Sequence, residues 1–201
     1  MPSIAIHPGD ASDSNAEDVS LMAAVARGDD RAFERLVAKH QGAVIGTVAK
    51  MTGRPGDAED LAQQVFLRVW KSAPRYQATA KFTTWLFTIV RNLVFNETRR
   101  SYRRHEMSLE AHEEESHLEQ ADALTPQPDS HLLHNELREA ADRAIASLPE
   151  PQRLAVVMRR FEESSYEEIA AVLGTTVPAV KSLLFRARQQ IREVMKAFVE
   201  D

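Results

Sequence analysis

The chain contains no cysteine and only seven glycines among its 201 residues. The absence of cysteine excludes disulfides, thiol catalysis and cysteine-based zinc sites, and it fits a reducing cytoplasm. So few glycines leave little room for a turn-rich all-β fold. No apolar run reaches the length of a membrane span, and no basic segment followed by an apolar core marks a secretory signal. We therefore expect a cytoplasmic protein with no membrane insertion.

Signatures of catalytic and cofactor sites are also missing. The sequence has no G-x-x-x-x-G-K-[ST] phosphate loop, no H-E-x-x-H zinc motif and no G-x-S-x-G nucleophile elbow. Five histidines in the middle of the chain could suggest a metal site, and they are His105, His112, His117, His131 and His134. Without cysteine, and in a segment that resembles a loop, they form a weak ligand set. We predict no enzyme activity, no cofactor and no metal site.

The net charge of −5 hides a segregation of charge along the chain. Residues 1–104 hold 15 basic and 11 acidic residues, residues 105–150 hold 2 and 12, and residues 151–201 hold 8 and 7. Basic segments therefore flank an acidic middle. Because contact with nucleic acid depends on local potential, the acidic total does not exclude a DNA-binding protein.

Hydrophobic residues recur at helical spacings of three and four over most of the chain, and no stretch alternates like a strand. Gly28, Gly53 and Pro74 predict the ends of three helices, and Asp57 is a good N-cap for the third. A fourth helix is expected over about Phe82–Tyr102. We predict an all-α fold of two small helical domains joined by an acidic linker. The expected segments are a disordered tail over 1–17, a first domain over 18–104, an acidic flexible linker over 105–140 and a second domain over 141–201.

The last block of sequence predicts a helix-turn-helix that binds double-stranded DNA. Ser165 and Glu168 form a capping box for a short helix, which Gly174 ends, and Thr176 can cap a longer one. The chain has four basic residues and no acidic one between Val177 and Arg192. A short helix, a tight turn and a longer basic helix allow the second helix to enter a major groove. The alternative is an ordinary helical hairpin with a solvated basic face.

One face of the second helix carries the residues that we expect to contact DNA. Ser182, Arg186 and Gln189 could reach base edges, whereas Lys181 and Arg188 are better placed for phosphates. The full predicted set is Thr176, Pro178, Lys181, Ser182, Phe185, Arg186, Arg188 and Gln189.

The fourth predicted helix combines aromatic residues at its start with arginines toward its end. Rings stack on unpaired bases and guanidinium groups follow a phosphate backbone, so this pattern suits single-stranded DNA. We interpret Trp85 as a core residue, and Tyr76, Lys81 and the late arginines as better candidates for contact. The predicted set is Tyr76, Lys81, Phe82, Arg91, Asn92, Asn96, Arg99, Arg100 and Arg103.

Three segments resemble bacterial extracytoplasmic-function sigma factors, group 4 of the RNA polymerase sigma factors. DAEDLAQQVFLRVW resembles region 2.2 of that family, FTTWLFTIVRNLVFNETRR resembles regions 2.3–2.4, and LPEPQRLAVVMRRFEESSYEEIAAVLGTTVPAVKSLLFRARQQIRE resembles region 4. The resemblance covers about Val19–Arg104 and Ala144–Lys196. It implies a region 2 helical bundle followed by a region 4 helix-turn-helix.

The resemblance also implies a function and partners. An alternative sigma factor binds core RNA polymerase and directs promoter-specific initiation, with region 4 on the −35 duplex and region 2 on the unstacked −10 strand. The polymerase contacts would be the β flap and the β′ clamp coiled coil. An anti-sigma factor is expected as a further partner. The residues that fall on the motif for the clamp are Asp57, Asp60, Gln63, Gln64 and Phe66.

Two other functions stay open on the sequence alone. A helix-turn-helix activator would leave the pattern of Phe82–Arg104 unexplained. A sigma mimic that only titrates an anti-sigma factor would not need the basic faces of both domains. Pro178 and the Leu184–Phe185 pair depart from the residues usual in the family, and these departures bear on the promoter sequence.

Overall fold

The computed structural model describes residues 8–109 and 130–196. Within these ranges the chain forms α-helices and two short 3-10 turns, and it has no strand. The predicted all-α class with two helical domains is therefore confirmed. No single helix among the described residues is long and apolar enough to cross a membrane. The helices are α1 (Pro8–Val25), α2 (Asp30–Thr52), α3 (Ala58–Ser72), α4 (Phe82–Leu109), α5 (Ser130–Ala146), α6 (Glu150–Phe161), α7 (Tyr166–Leu173) and α8 (Val177–Lys196).

Helix α1 contradicts the predicted disordered tail, because the helix already begins at Pro8. The segment is polar and has little helical periodicity, so tertiary contacts must stabilise it. Asp18 is buried, with its carboxylate 2.7 Å from Lys39 Nζ and 3.1 Å from His40 Nε2. Glu17 adds a second ion pair to Lys39, at 2.9 Å. These contacts fix α1 on α2, while residues 1–7 lie outside the described ranges.

The beginning of α4 is capped by a residue from α1. The side-chain oxygen of Asn15 accepts a hydrogen bond from the backbone N–H of Phe82 at 2.8 Å. The first amides of a helix have no partner within the helix, so this bond satisfies one of them. Residue Lys81, which precedes the helix, has no side-chain acceptor to do so. Helix α1 therefore positions the first turn of α4.

The acidic linker is shorter than predicted. Helix α4 continues to Leu109 and α5 begins at Ser130, so helix replaces the expected flexible segment at both ends of 105–140. Glutamate and arginine are good helix formers, and composition alone did not separate a solvated helix from a linker. Helix α5 also packs on α2, α6 and α8, and Ala140 and Ala144 are fully buried. Residues 110–129 lie outside the described ranges.

The two helical domains pack directly against each other. Helices α1 to α4 surround one core, and α6 to α8 surround the other. Buried side chains of both belong to a single contiguous cluster, which extends from Leu21 to Leu184. The contact between domains is made by α4 with α7 and by α2 with α5 and α6.

The buried Asp18 carboxylate makes the stability of the fold sensitive to acid. Burial would raise the pKa of Asp18, but hydrogen bonds from His40 and Lys39 outweigh it and hold this pKa below its usual value. A folded-state pKa below the unfolded one stabilises the fold above the unfolded pKa of about 4, and the stabilisation is lost as the pH falls further. We expect Asp18→Asn to lower the free energy of unfolding at pH 7 by about 1 to 2 kcal/mol and to flatten its loss below about pH 4.

Urea denaturation at a series of pH values measures both effects of Asp18→Asn. Asp13→Asn is the matched control, because Asp13 is exposed on the same helix. If Asp18→Asn left the acid dependence of unfolding as steep as in the parent protein, another group would be responsible for it.

Candidate nucleic-acid interface

Helices α7 and α8 form the predicted helix-turn-helix. The two helices are bent by 97° at the break between them, within the range of this motif. The capping box is confirmed: Ser165 Oγ accepts from the N–H of Glu168 at 3.1 Å, and the Glu168 carboxylate accepts from the N–H of Ser165 at 2.7 Å. These bonds fix the start of α7 and therefore its direction into the turn.

The turn between the helices depends on a left-handed residue. Gly174 has a φ of +64° and ends α7, with its N–H bonded to carbonyls of the last turn. A side chain at this φ would be strained, so glycine is the residue that the turn requires. Thr176 then caps α8, accepting from the N–H of Ala179 at 3.4 Å, and Pro178 lies in the first turn as predicted.

Helix α8 has one buried face and one free face. Val180, Leu184 and Ala187 are buried against the neighbouring helices α5, α6 and α7. The opposite face is exposed along its length, and Phe185 keeps 62% of its surface accessible. A large exposed ring among basic residues is typical of an interaction surface. All the residues predicted for duplex contact are exposed: Thr176, Pro178, Lys181, Ser182, Phe185, Arg186, Arg188 and Gln189.

The aromatic residues at the start of α4 form a packed cluster and leave little ring surface for bases. Phe82 is 1% exposed, so this structure leaves its ring no free surface for the predicted contact with DNA. Its ring lies 5.1 Å from that of His40 and 5.7 Å from Trp85. Trp85 is half-buried and packs edge-on against Tyr76 at 4.8 Å, in agreement with its interpretation as a core residue. Burial of the hydroxyl raises the pKa of Tyr76, with a smaller effect of the Asp18 charge.

The polar residues predicted for single-stranded DNA follow α4 on its outside. Lys81 precedes the helix and Arg103 is exposed near its end, about 33 Å away at the rise of an α-helix. Arg91 differs from the others because it is partly covered by α7. The members of the set that are exposed are Lys81, Asn92, Asn96, Arg99, Arg100 and Arg103.

Two members of this set are bound within the protein, where α7 crosses α4. Lys81 Nζ lies 2.6 Å from Glu168 Oε1. Arg91 Nη1 donates to the carbonyl of Val172 at 2.5 Å, and its Nη2 donates to Asn92 Oδ1 at 2.6 Å. Burial would raise the pKa of Glu168, but hydrogen bonds from Lys81 and the backbone of Ser165 outweigh it and lower this pKa.

Helix α3 presents the polar face predicted for a protein contact. Asp57, Asp60, Gln63 and Gln64 are exposed, whereas Phe66 is 7% exposed and belongs to the core, so its side chain has little surface for the predicted contact. The exposed apolar residue on this helix is instead Leu67, at 56%. Its spacing of three and four residues from the two glutamines places it on their face and could have identified it.

Asp57 occupies the N-cap position of α3 without the expected bond. Its side chain makes no capping hydrogen bond, because a 3-10 turn over Pro55–Asp57 holds its backbone in the right-handed helical region. Its carboxylate lies 3.8 Å from Arg54 Nη1.

Metal-ligating side chains do not gather within the described residues, where no group of three histidines or carboxylates could hold an ion. The side chains of the five histidines considered in the sequence lie outside the described residues.

Family models match both domains of the chain. Sigma-70 region 2 matches residues 36–104, and Sigma-70 region 4 matches residues 138–191. The RNA polymerase sigma-H factor of Pseudomonas aeruginosa is 32% identical over 187 residues, which cover 92% of this chain and 97% of that protein. The ECF RNA polymerase sigma-E factor of Escherichia coli K12 is 34% identical over 176 residues, which cover 87% and 92%.

A solved structure has the same fold. It is that of CnrH in complex with the cytosolic domain of CnrY, with a TM-score of 0.63 and 26% identity. The match covers 90% of this chain and 98% of CnrH.

Proposed function

Because the chain belongs to the sigma-70 family, among the extracytoplasmic-function (ECF) sigma factors, we propose that it directs promoter-specific initiation by core RNA polymerase as a member of group 4. The observation that carries this proposal is the free basic face of α8 on a complete helix-turn-helix. Sigma factors are not enzymes: the polymerase performs the chemistry, and the sigma factor positions it. The protein acts in the cytoplasm, where polymerase and promoters are found.

Helix α8 reads the −35 element as duplex. Its free face has room for a major groove, because the residues that hold α8 in the domain lie on the opposite side. Arg186 has the fork geometry that pairs with a guanine edge. Lys181 and Arg188 flank that face and neutralise phosphates. Phe185 offers an apolar surface for the methyl group of thymine.

Helix α4 captures the unpaired −10 strand. With Phe82 buried, Tyr76 and Trp85 are the half-buried aromatic residues of this cluster, and Tyr76 lies beside the loop that precedes the helix. Lys81 lies immediately before α4, Arg91 and Asn92 lie on its first half, and the later arginines continue the positive potential along the backbone path. The aromatic cluster beneath them keeps this segment rigid.

Helix α3 docks on core polymerase. Gln63, Gln64 and Leu67 form an exposed patch with an apolar centre and a polar rim, which is the composition of a protein interface. The acidic Asp57 and Asp60 border it. The partner surfaces would be the β′ clamp coiled coil for this patch and the β flap for the second domain.

An anti-sigma factor is the other expected partner. CnrH, a similar chain with a similar fold, has been solved with the cytosolic domain of a second protein. A partner that covers α3 or the free face of α8 would silence this protein without changing its fold.

Transcription on sheared genomic DNA from the source organism tests the function without a promoter chosen in advance. Core polymerase with this protein should produce RNAs whose sequenced 5′ ends lie downstream of a shared −35/−10 pair, which core alone ignores. An activator that uses only the helix-turn-helix would bind such DNA but would not redirect core. A sigma mimic would bind neither core nor DNA, and either result would contradict the proposal.

Charge on the second half of α4 should set the salt dependence of strand binding. We expect the double variant Arg99→Gln, Arg100→Gln to lower the slope of log K against log salt by about 1.4 for single-stranded DNA, because two phosphate contacts are lost. Fluorescence anisotropy of a mixed-sequence oligonucleotide at several salt concentrations measures it.

The matched control for this variant is Arg27→Gln, Arg31→Gln. These arginines are exposed near the beginning of α2 and have the same charge, but we assign them no contact with DNA. If both double variants changed the slope equally, the effect would reflect net charge and not a binding path along α4.

A further inference from the structure

Residues 61–96 contain a run of positive charge that is only partly assigned to DNA. The segment holds no acidic residue and five basic ones, which are Arg68, Lys71, Arg75, Lys81 and Arg91. Lys81 and Arg91 belong to the set predicted for single-stranded DNA, whereas the other three do not. Arg68, Lys71 and Arg75 are exposed in the structure. Basic residues in a segment without acidic ones produce a local positive potential, which attracts a polyanion.

Two of these residues line a groove between α3 and α4. Helix α3 contributes Arg68 and Lys71, and α4 contributes the carboxamides of Asn92 and Asn96. All four side chains are exposed, so the groove is open to solvent. Its volume is about 330 Å³, and the buried Leu93 also lines it. The groove therefore combines cations, amide groups and apolar carbon.

These groups are complementary to the parts of a nucleotide. Arginine and lysine bind phosphate oxygens. A carboxamide both donates and accepts hydrogen bonds, so it can pair with the edge of a base. The edges that pair within a duplex are available to such a group only in an unpaired nucleotide. A volume of about 300 Å³ is at the lower end of the range for ligand sites, which suits one nucleotide and not a folded partner.

Helix α3 has room for this groove beside its proposed contact with core polymerase. That contact is assigned to Gln63, Gln64 and Leu67. Successive residues of a helix are rotated by about 100°, so Arg68 lies well to one side of Leu67. Arg68 lines the groove that α3 shares with α4. The two faces of α3 can therefore be changed separately.

We propose that Arg68 and Lys71 bind phosphates of the unpaired −10 strand, and that the groove between α3 and α4 seats one nucleotide of this strand against Asn92 and Asn96. The proposal rests on the proposed function for the assignment of the −10 strand to α4. It extends the path of the strand onto α3, a helix otherwise assigned to polymerase. The alternative role of Lys71 is to stabilise the last turn of α3, which would affect folding and not the binding of DNA.

The double variant Arg68→Gln, Lys71→Gln in the full-length protein tests the phosphate contacts. Fluorescence anisotropy of a mixed-sequence single-stranded oligonucleotide is measured at several salt concentrations. We expect the slope of log K against log salt to fall by about 1.4, because two phosphate contacts are lost. Arg27→Gln, Arg31→Gln is the matched control, since it removes the same charge from exposed positions near the beginning of α2. An unchanged slope, or an equal change in the control, would overturn the proposal.

The carboxamide of Asn96 is tested without a change of charge. Asn96→Ala should weaken binding of the same oligonucleotide about fivefold at every salt concentration, the effect of about one hydrogen bond. The slope should stay that of the parent protein, because no cation is lost. Equal affinity of Asn96→Ala and the parent would show that no nucleotide is seated in the groove.

Binding of core polymerase separates the two faces of α3. The variant Gln63→Ala, Leu67→Ala should bind core more weakly and keep the parent's salt slope for the oligonucleotide, whereas Arg68→Gln, Lys71→Gln should show the reverse. If the latter variant instead lost core affinity and kept the slope, its cations would belong to the polymerase interface and the proposal would be wrong. If the parent protein failed to redirect core on genomic DNA, the proposed sigma function would fail. A lowered slope would still support the groove as a site for single-stranded DNA.

Discussion

Alanine at position 186 is expected to reduce initiation at −35-dependent promoters by roughly ten- to a hundredfold, the range for losing one bidentate arginine–guanine contact. Arg186 is exposed on the free face of α8, opposite the buried Leu184 and Ala187. Initiation from the promoters identified on genomic DNA measures the loss. Promoters with single base-pair changes in the −35 element then show which position loses its preference.

Two further variants of α8 separate base reading from phosphate binding. Lys181→Ala should weaken all promoters about equally, because phosphates carry no sequence. Arg192→Ala, on the same face but about two turns after Phe185 and beyond the N-terminal half of the helix that enters the groove, should have little effect. Unchanged promoter use in Arg186→Ala would remove this residue from base reading.

Alanine at position 153 is expected to lower the free energy of unfolding by about 2 to 3 kcal/mol, because removal of the charged guanidinium leaves several carbonyls without their hydrogen-bond donor. Arg153 lies on α6 and is half-buried. It donates to the carbonyl of Met51 near the end of α2, at 2.5 Å, and to the carbonyls of Ala146 at the end of α5 and of Leu148 in the turn that follows. One guanidinium therefore joins that turn to the first domain.

Arg160→Ala is the matched control for Arg153→Ala, since Arg160 is exposed on the same helix. It should change stability by less than about 0.5 kcal/mol. Urea denaturation followed by circular dichroism compares the two variants. Similar small losses would show that solvent replaces the guanidinium at these carbonyls.

The helix-turn-helix could be predicted because its signals are local. Ser165, Glu168, Gly174 and Thr176 each act within three or four residues of their own position, and all four occupy the expected places. The sequence could also indicate which face of α8 is free, because its apolar residues recur on one side.

The sequence-based predictions fail where contacts between distant parts of the chain determine the local structure. Helix α1 has no strong local pattern and depends on the contacts of Asp18 with α2. The Phe82 ring contacts the rings of His40 on α2, of Tyr76 and of Trp85, so its burial also depends on residues that are distant in the sequence. The contact of Arg91 with α7 could not be predicted either, because its acceptor is a backbone carbonyl and no side-chain pattern indicates it.

In α4, one residue caps the helix and another occupies the position immediately before it, because the cap comes from Asn15 of α1. Most helices need serine, threonine, aspartate or asparagine immediately before their first turn, and a cation there is unfavourable. Here the capping side chain comes from α1, so position 81 can hold a lysine. Substitutions at this position can accumulate during evolution without removing the cap. The contact with DNA that we propose for this position can therefore change between relatives while the helix that presents it stays in place.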